Sequence, residues 1–206
     1  FFSSHAMTTF NSFEKDGHSE GEVHARDAYR SAMKDMYETV LANHHKIAIA
    51  IINDTDQDLR RVADAFAVGR WEARAPYLIP KGYVGVMGVT NRDNEPRGVR
   101  GLVLYEGADC VALCGFDNPY VGSHKSMARV QDRGCWTYFD GLTRIAAGVP
   151  DQAWEQLDAK GGQAQHTTRK GQQYTLTAQG HSDGDVRAPY GHLEFTLTQA
   201  QGPTRA

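Results

Sequence analysis

The sequence contains little cysteine and no cysteine framework. Its three cysteines are Cys110, Cys114 and Cys135. If Cys110 and Cys114 lie on one strand, their Cα atoms are about 13 Å apart, whereas a disulfide requires less than about 7 Å. Neither a CxxC pair nor a Cys/His zinc pattern occurs. The sequence therefore excludes a disulfide scaffold and predicts buried free thiols.

Long apolar runs are also absent. No stretch approaches the roughly 18 apolar residues of a transmembrane helix. The first ten residues, FFSSHAMTTF, lack a basic region followed by an apolar one, so no signal peptide is visible. We expect a soluble protein, secreted or cytoplasmic, that can associate with membranes. Residues 1–6 precede Met7 and are set aside as a remnant ahead of the native start.

Neither sign of charge is in large excess. The net charge is −3, so no overall field favours nucleic acid or an anionic membrane, and no nucleic-acid partner is expected. A length of 206 residues suits one domain with a buried core. Residues 1–26 are predicted to form a flexible arm, because residues 7–26 are polar and aperiodic. A single domain over 27–200 and a tail over 201–206 complete this division.

The common catalytic motifs are missing. There is no GxSxG, no HExxH, no Walker loop and no strand–GxGxxG–helix unit. Cys135 could pair with a histidine, but its neighbour Trp136 favours a core position. Asn53–Asp58 resembles the start of a calcium loop, yet Leu59 and Ala65 stand where Gly and Glu are needed. The sequence therefore predicts a non-enzyme with no cofactor and no metal.

Two adjoining segments predict a helix covering a strand. Apolar residues recur at helical spacing over Asp27–His44, with Asp27 as a plausible N-cap and Lys46 among the cations after the helix. This Met/Tyr stripe favours core packing over a partner or membrane surface. Lys46–Ile52 (KIAIAII) is apolar on both faces, so both must be covered. We expect one face in a sandwich core and the other under the helix.

The remaining pattern is mostly β. Leu59–Trp71 fits either a short helix or an irregular strand. Strands are predicted at Tyr83–Thr90, Val99–Tyr105 and Cys110–Phe116, and a strand resumes at Met127–Val130. The alternating segments QYTLTAQG and HLEFTLTQ predict a terminal hairpin. Gln131–Gly148 contains a cluster of three aromatic residues, Trp136, Tyr138 and Phe139. We expect this cluster on a second short helix.

The stretch Phe116–Lys125 is the first candidate site. Pro119 has no amide hydrogen for a sheet ladder, and Gly122 tolerates unusual backbone angles. The stretch is therefore expected to form an ordered loop at the rim of the β structure, with Tyr120, His124 and Lys125 offered to a ligand. The alternative is an ordinary turn between two strands.

The order of these segments resembles the actinoporins, the pore-forming cytolysins of sea anemones, and their actinoporin-like relatives. The similar pieces run from Asp27 to Val130: a helix, HKIAIAIINDT, FAVGRW, YLIPKGYVGV, GVRGLVLY and FDNPY. The resemblance implies an antiparallel β-sandwich flanked by two short α-helices. It also implies binding of phosphocholine headgroups, especially sphingomyelin, and homo-oligomers on membranes.

The resemblance assigns residues of this sequence to the family's headgroup pocket. Val103, Pro119, Trp136 and Tyr138 fall on or near lining positions, with Phe139 beside them. Aromatic faces hold a quaternary ammonium by cation–π attraction of about 0.5–2 kcal/mol per contact.

The departures from the family concern both the headgroup pocket and pore formation. Val68 and Asp117 stand where the family has pocket serines. His124, Lys125 and Ser126 stand where it has a membrane-inserting aromatic cluster, which an interfacial belt normally requires. Residues 7–26 are acidic and interrupted by glycine, unlike the family's pore-lining amphipathic helix.

Three hypotheses follow. The first is a membrane-binding protein, with pore formation as a further step, that recognises a lipid headgroup through the Pro119 loop and the aromatics that follow it. The second is a lectin on the same fold, as in fungal fruit-body lectins, with Asp117, Asn118 and His124 beside Tyr120 or Trp136 contacting a glycan. The third is a non-lytic interaction protein that keeps the scaffold.

Overall fold

The structure is a computed structural model that describes residues 19–41, 45–91, 98–121, 124–133, 162–182 and 191–200. Thirteen strands lie in these ranges: β1 (Ser19–Glu20), β2 (Glu22–Ala25), β3 (Lys46–Asp54), β4 (Leu59–Val68), β5 (Arg70–Arg74), β6 (Leu78–Ile79), β7 (Tyr83–Thr90), β8 (Val99–Glu106), β9 (Cys110–Asn118), β10 (Lys125–Asp132), β11 (Gln163–Thr167), β12 (Gln173–Ser182) and β13 (Gly191–Gln199). The helix α1 covers Tyr29–Asp35 and continues into a π-helical segment, Met36–Val40.

The strands form two sheets packed as a β-sandwich, which confirms the predicted mainly β fold class. Of the two predicted flanking helices, the first is α1, and residues 134–148, where the second was predicted, lie outside the described residues. The first sheet has the order β1-β5-β7-β3-β13-β12-β11, with β2 added on β7, and the second has the order β10-β9-β8-β4-β6. Most pairings are antiparallel, but β3 pairs with β13 in parallel, and so does β1 with β5.

The strand β3 is covered on both faces, as its sequence predicts. Ile47, Ile49 and Ile51 belong to the interior cluster between the sheets. The alternate residues Ala48, Ala50 and Ile52 form a second buried cluster with residues of α1, of the π-helical segment and of its end. These residues are Tyr29, Met33, Met36 and Leu41. The Met/Tyr stripe is therefore core.

The helix begins later than predicted and is capped differently. Its N-cap is Ala28, which makes no side-chain cap hydrogen bond, so the Asp27 N-cap prediction is wrong. At the other end, Lys46 Nζ donates to the carbonyls of Tyr37 at 2.7 Å and Leu41 at 2.5 Å. A cation at a helix C-terminus stabilises the exposed carbonyls. Residues 42–44, where the predicted helix ends, lie outside the described residues.

The ambiguous segment after residue 58 is a strand. Leu59–Val68 forms β4, whose register against β8 shifts after Arg61 and again after Phe66. Such bulges break the alternation of buried and exposed residues, which explains why the pattern fitted two interpretations.

Other boundaries agree closely or are extended. β7 has the predicted bounds, β9 continues to Asn118, and β12 and β13 pair as the predicted terminal hairpin. Ser19–Ala25, within the predicted flexible arm, contain β1 and β2, of which β2 pairs with β7. The outer face of the second sheet carries a further buried apolar cluster, which includes Leu102, Leu104 and Leu113.

Cys110 and Cys114 are buried and free, as predicted. Cys135 lies outside the described residues. No helix in the described part of the chain has the length and apolar character needed to cross a membrane.

Candidate functional site

The candidate site is one end of the sandwich, here called the Pro119 rim. It comprises the loop between β9 and β10, Pro119–His124, together with the strand ends that support it. Gly122 and Ser123 lie outside the described residues. Because β9 runs to Asn118 and β10 starts at Lys125, the loop is shorter than the predicted stretch of ten residues.

The loop presents an aromatic and an aliphatic side chain to solvent. Tyr120 is 53% exposed and Val121 is 84% exposed. Exposed tyrosines also occur far from this loop, at Tyr77 and Tyr83. The Pro119 rim is distinguished by the pairing of exposed apolar groups with a fixed polar base.

The first part of that base is an ion pair with a buried carboxylate and a half-buried guanidinium. Arg100 donates to Asp117 Oδ2 from Nε at 2.9 Å and from Nη2 at 2.6 Å. The Asp117 side chain is only 3% exposed, whereas that of Arg100 is 35% exposed. Arg100 and Asp117 face each other in the β8–β9 register. The pair joins the end of β9 to β8. The Asp117 carboxylate therefore already accepts hydrogen bonds from within the protein.

The second part of the base is a close contact between backbones. A Cβ atom at Gly98, just before β8, would lie 2.0 Å from the carbonyl oxygen of Asn118 and 2.7 Å from the Cα of Pro119. Only glycine permits this approach. The Asn118 side chain also donates to the carbonyl of Lys46 at 3.3 Å. The loop is thus seated against the starts of β8 and β3.

A ring contact links the exposed tyrosine to the first sheet. The rings of His45 and Tyr120 lie 4.6 Å apart between centroids, with an angle of 40° between their planes. His45 immediately precedes β3, so this contact joins the two sheets across the mouth of the sandwich. His45 is not among the predicted site residues, because the His-His-Lys sequence indicates only positive charge after a helix.

Three buried polar atoms at this end have no hydrogen-bond partner among the described residues. They are Nδ1 of His45, Oγ1 of Thr90 and Oγ of Ser126. Thr90 is opposite Lys46 in the first sheet, and Ser126 is opposite Phe116 in the second. Buried polar groups are nearly always hydrogen-bonded. These three atoms lie beneath the surface of the Pro119 rim, where they have no surface for direct contact with a ligand.

His124 and Lys125 complete the Pro119 rim. Burial lowers the pKa of His124 below its ordinary value of 6.5, although the Asp117 charge opposes the shift. His124 is therefore neutral at neutral pH. Lys125, which opens β10 opposite Asp117, is partly buried. Lys125 supplies a positive charge at this end.

The predicted site residues separate into three groups. Asp117, Pro119, Tyr120, His124 and Lys125 lie together at the Pro119 rim. Val103 pairs with Cys114 in the middle of the second sheet and is fully buried in the interior cluster. Its side chain has no surface with which to contact a ligand, so we remove Val103 from the candidate site. The remaining residues, Trp136, Tyr138 and Phe139, lie outside the described residues.

Comparison with solved structures shows that this fold is known. The lipid binding protein Nakanori superposes with a TM-score of 0.65 over 84% of this chain and 80% of that one, at 10% sequence identity. Two weaker matches are IP-1A from Alcaligenes faecalis, with a TM-score of 0.45 over 77% of this chain and 93% of that one at 12% identity, and the Xerocomus chrysenteron lectin XCL, with a TM-score of 0.39 over 74% and 99% at 11% identity. At such low identity the first match shows the shared fold only. No protein-family model matches the chain, and no curated protein matches it.

Proposed function

We propose that the protein binds membrane surfaces through the Pro119 rim and takes a polar lipid headgroup there. The observation that carries this proposal is the exposed Tyr120–Val121 pair, held on a fixed base. Aliphatic and aromatic side chains at one loop suit the boundary between headgroups and acyl chains. The Tyr120 ring offers a face to a quaternary ammonium, a contact worth about 0.5–2 kcal/mol.

The charge distribution supports a local mode of binding. The net charge of −3 provides no general attraction to an anionic surface. At the rim, Arg100 is paired with Asp117, and His124 is neutral at neutral pH. Headgroup recognition therefore depends on contacts of the rim and on Lys125. We expect a zwitterionic headgroup such as phosphocholine, as in sphingomyelin, to be preferred over a merely anionic one.

The match to the lipid binding protein Nakanori is consistent with this proposal at the level of the fold. A glycan at the same rim is less well supported. In the predicted lectin site Asp117 would accept hydrogen bonds from sugar hydroxyls, but its carboxylate is buried and bonded twice by Arg100. We propose a binding role and no catalytic one.

Vesicle sedimentation tests the headgroup. Three vesicle compositions are compared: phosphatidylcholine alone, phosphatidylcholine with sphingomyelin, and phosphatidylglycerol alone. Retention by the choline-containing vesicles, with little loss on adding salt, is expected. Retention by phosphatidylglycerol alone, abolished by salt, would contradict recognition of choline. Retention by none of the three would contradict membrane binding.

Dye release from the same vesicles separates binding from pore formation. The fold places β2 against β7, and Gly21 N donates to the Arg74 carbonyl. An N-terminal segment that lined a pore would have to detach from these contacts. We propose binding without leakage, the non-lytic form of the hypothesis. Dye release at the protein concentrations that give sedimentation would instead favour a cytolysin.

A further inference from the structure

A second concave site lies at the opposite end of the sandwich. It is a groove of about 320 Å³ between the β3–β4 turn, the β8–β9 turn and the end of β10. The eight residue steps of β9 place it about 26 Å from the Pro119 rim. Its volume lies at the lower end of the range for small-molecule sites. This groove is separate from the proposed membrane site and does not depend on it.

The floor of the groove is held by a hydrogen-bonded network. Gln57 Nε2 donates to the hydroxyl of Tyr174 at 2.6 Å, and that hydroxyl donates to Asp109 Oδ1 at 2.7 Å. Gln57 Oε1 accepts a hydrogen bond from the amide of Ala108. A Cβ at Gly107 would lie 2.6 Å from the same Oε1, so a larger residue at this position would displace the Gln57 amide from its present position. The groove is therefore pre-formed.

The walls carry charges of both signs. Arg133 donates from Nε to Glu106 and from Nη1 to the Ala108 carbonyl at 3.3 Å. Asp58 Oδ1 accepts from the Lys81 amide at 3.0 Å. Arg60 is exposed, and no ion pair or hydrogen bond of its guanidinium occurs within the described ranges. Arg60 is thus the donor group that a ligand can engage.

The chemistry of this lining selects a class of ligand. Ala108 is its single apolar residue, and five of the other six lining residues carry a polar or charged group. Two guanidiniums balance two carboxylates, so it does not favour a polyanion. A hydroxyl group both donates and accepts hydrogen bonds, and adjacent hydroxyls can meet a carboxylate and a guanidinium side by side. We propose that the groove binds a polyhydroxylated ligand of about monosaccharide size, with Arg60 as a principal donor.

Backbone amide NMR with free sugars tests this proposal. Glucose, galactose, mannose, N-acetylglucosamine and sialic acid are titrated separately, and inorganic phosphate serves as the anion control. At least one sugar is expected to shift the amides of Gln57, Gly107, Ala108 and Arg133. No sugar shifting these amides, or shifts with phosphate alone, would overturn the proposal.

Two variants locate the binding. Arg60→Ala removes the exposed donor, and Ala108→Trp fills the groove without changing its charge; each should weaken sugar binding on the order of 10-fold or more. Arg30→Ala, on the exposed face of α1, is the matched control. Unchanged affinity in both groove variants would overturn the assignment. Arg60→Ala should leave vesicle sedimentation unchanged and Tyr120→Ala should leave sugar binding unchanged, so the two proposals fail separately.

Discussion

The imidazole of His45 lies against the phenol ring of Tyr120, with 4.6 Å between the ring centroids. This contact bridges the two sheets at the mouth of the sandwich, because His45 leads into β3 and Tyr120 follows β9. With this contact in place, Tyr120 is still 53% exposed. A surface aromatic held in this way loses less conformational entropy when it binds a ligand.

Loss of the buried carboxylate should destabilise the fold. Asp117→Ala leaves Arg100 without the acceptor of two hydrogen bonds, and we expect a loss of about 2–3 kcal/mol in the free energy of unfolding, measured in urea. The double variant Arg100→Met/Asp117→Leu removes both charges and should recover most of this loss. If the double variant were no more stable than Asp117→Ala, the ion pair would not be the cause.

The close contact between Gly98 and the β9–β10 loop should not tolerate a methyl group at residue 98. Gly98→Ala places Cβ against the backbone of Asn118 and Pro119, which cannot move as a flexible side chain would. We expect a loss of about 1–3 kcal/mol in unfolding free energy and weaker vesicle binding. Gly180→Ala is the control, because its nearest contact would be an ordinary 3.4 Å. Equal effects of the two substitutions would argue against the close contact.

Stability should depend on the protonation of His124. Burial lowers the pKa of His124 in the folded state below 6.5, and the Asp117 charge only partly opposes this. The unfolded chain therefore binds the proton more readily, so this contribution is complete above about pH 6.5 and is lost as the pH falls towards the folded-state pKa. Urea unfolding between about pH 7.5 and pH 5.5 should show a steeper decline for the wild type than for His124→Gln. Parallel curves would contradict the buried, neutral histidine.

The two described cysteines should be unreactive in the folded protein. Burial, with the nearby Asp109 charge, raises the pKa of Cys110 to about 12, and burial raises the pKa of Cys114. The thiolate is the reactive form, so little of it is present at pH 8. In a Cys135→Ser background, a disulfide reagent should label neither thiol until denaturant is added. Rapid labelling without denaturant would contradict this burial.

Part of this fold could be predicted because the apolar pattern of a single strand shows which of its faces must be buried. The doubly apolar Lys46–Ile52 stretch required cover on two faces, and the periodic stripe before it supplied one of them. The parallel pairing of β3 with β13 could not be predicted in this way, because it joins Ile47 to Gly191 across most of the sequence. Local patterns do not contain the register of distant strands.

The candidate site shows the same division. Pro119 and Tyr120 stand out locally, because proline ends a sheet ladder and an aromatic follows it. The ion pair between Arg100 and Asp117 depends on the β8–β9 register. The contact of His45 with Tyr120 depends on how one sheet packs on the other. Neither can be read from a local sequence pattern. Val103 was predicted only from the resemblance to the actinoporins, and its position in the interior cluster leaves no side-chain surface for a ligand.

The central claim is that Tyr120 contacts the membrane, and one comparison tests it most directly. Sedimentation with sphingomyelin-containing vesicles is measured for the wild type, Tyr120→Ala and Tyr83→Ala; Tyr83 is the matched control because it is similarly exposed, at 45% against 53%. We predict that Tyr120→Ala weakens vesicle binding on the order of 10-fold, while Tyr83→Ala binds as the wild type does. Equal binding by all three proteins, or a loss confined to Tyr83→Ala, would contradict the assignment of the Pro119 rim as the membrane-binding surface.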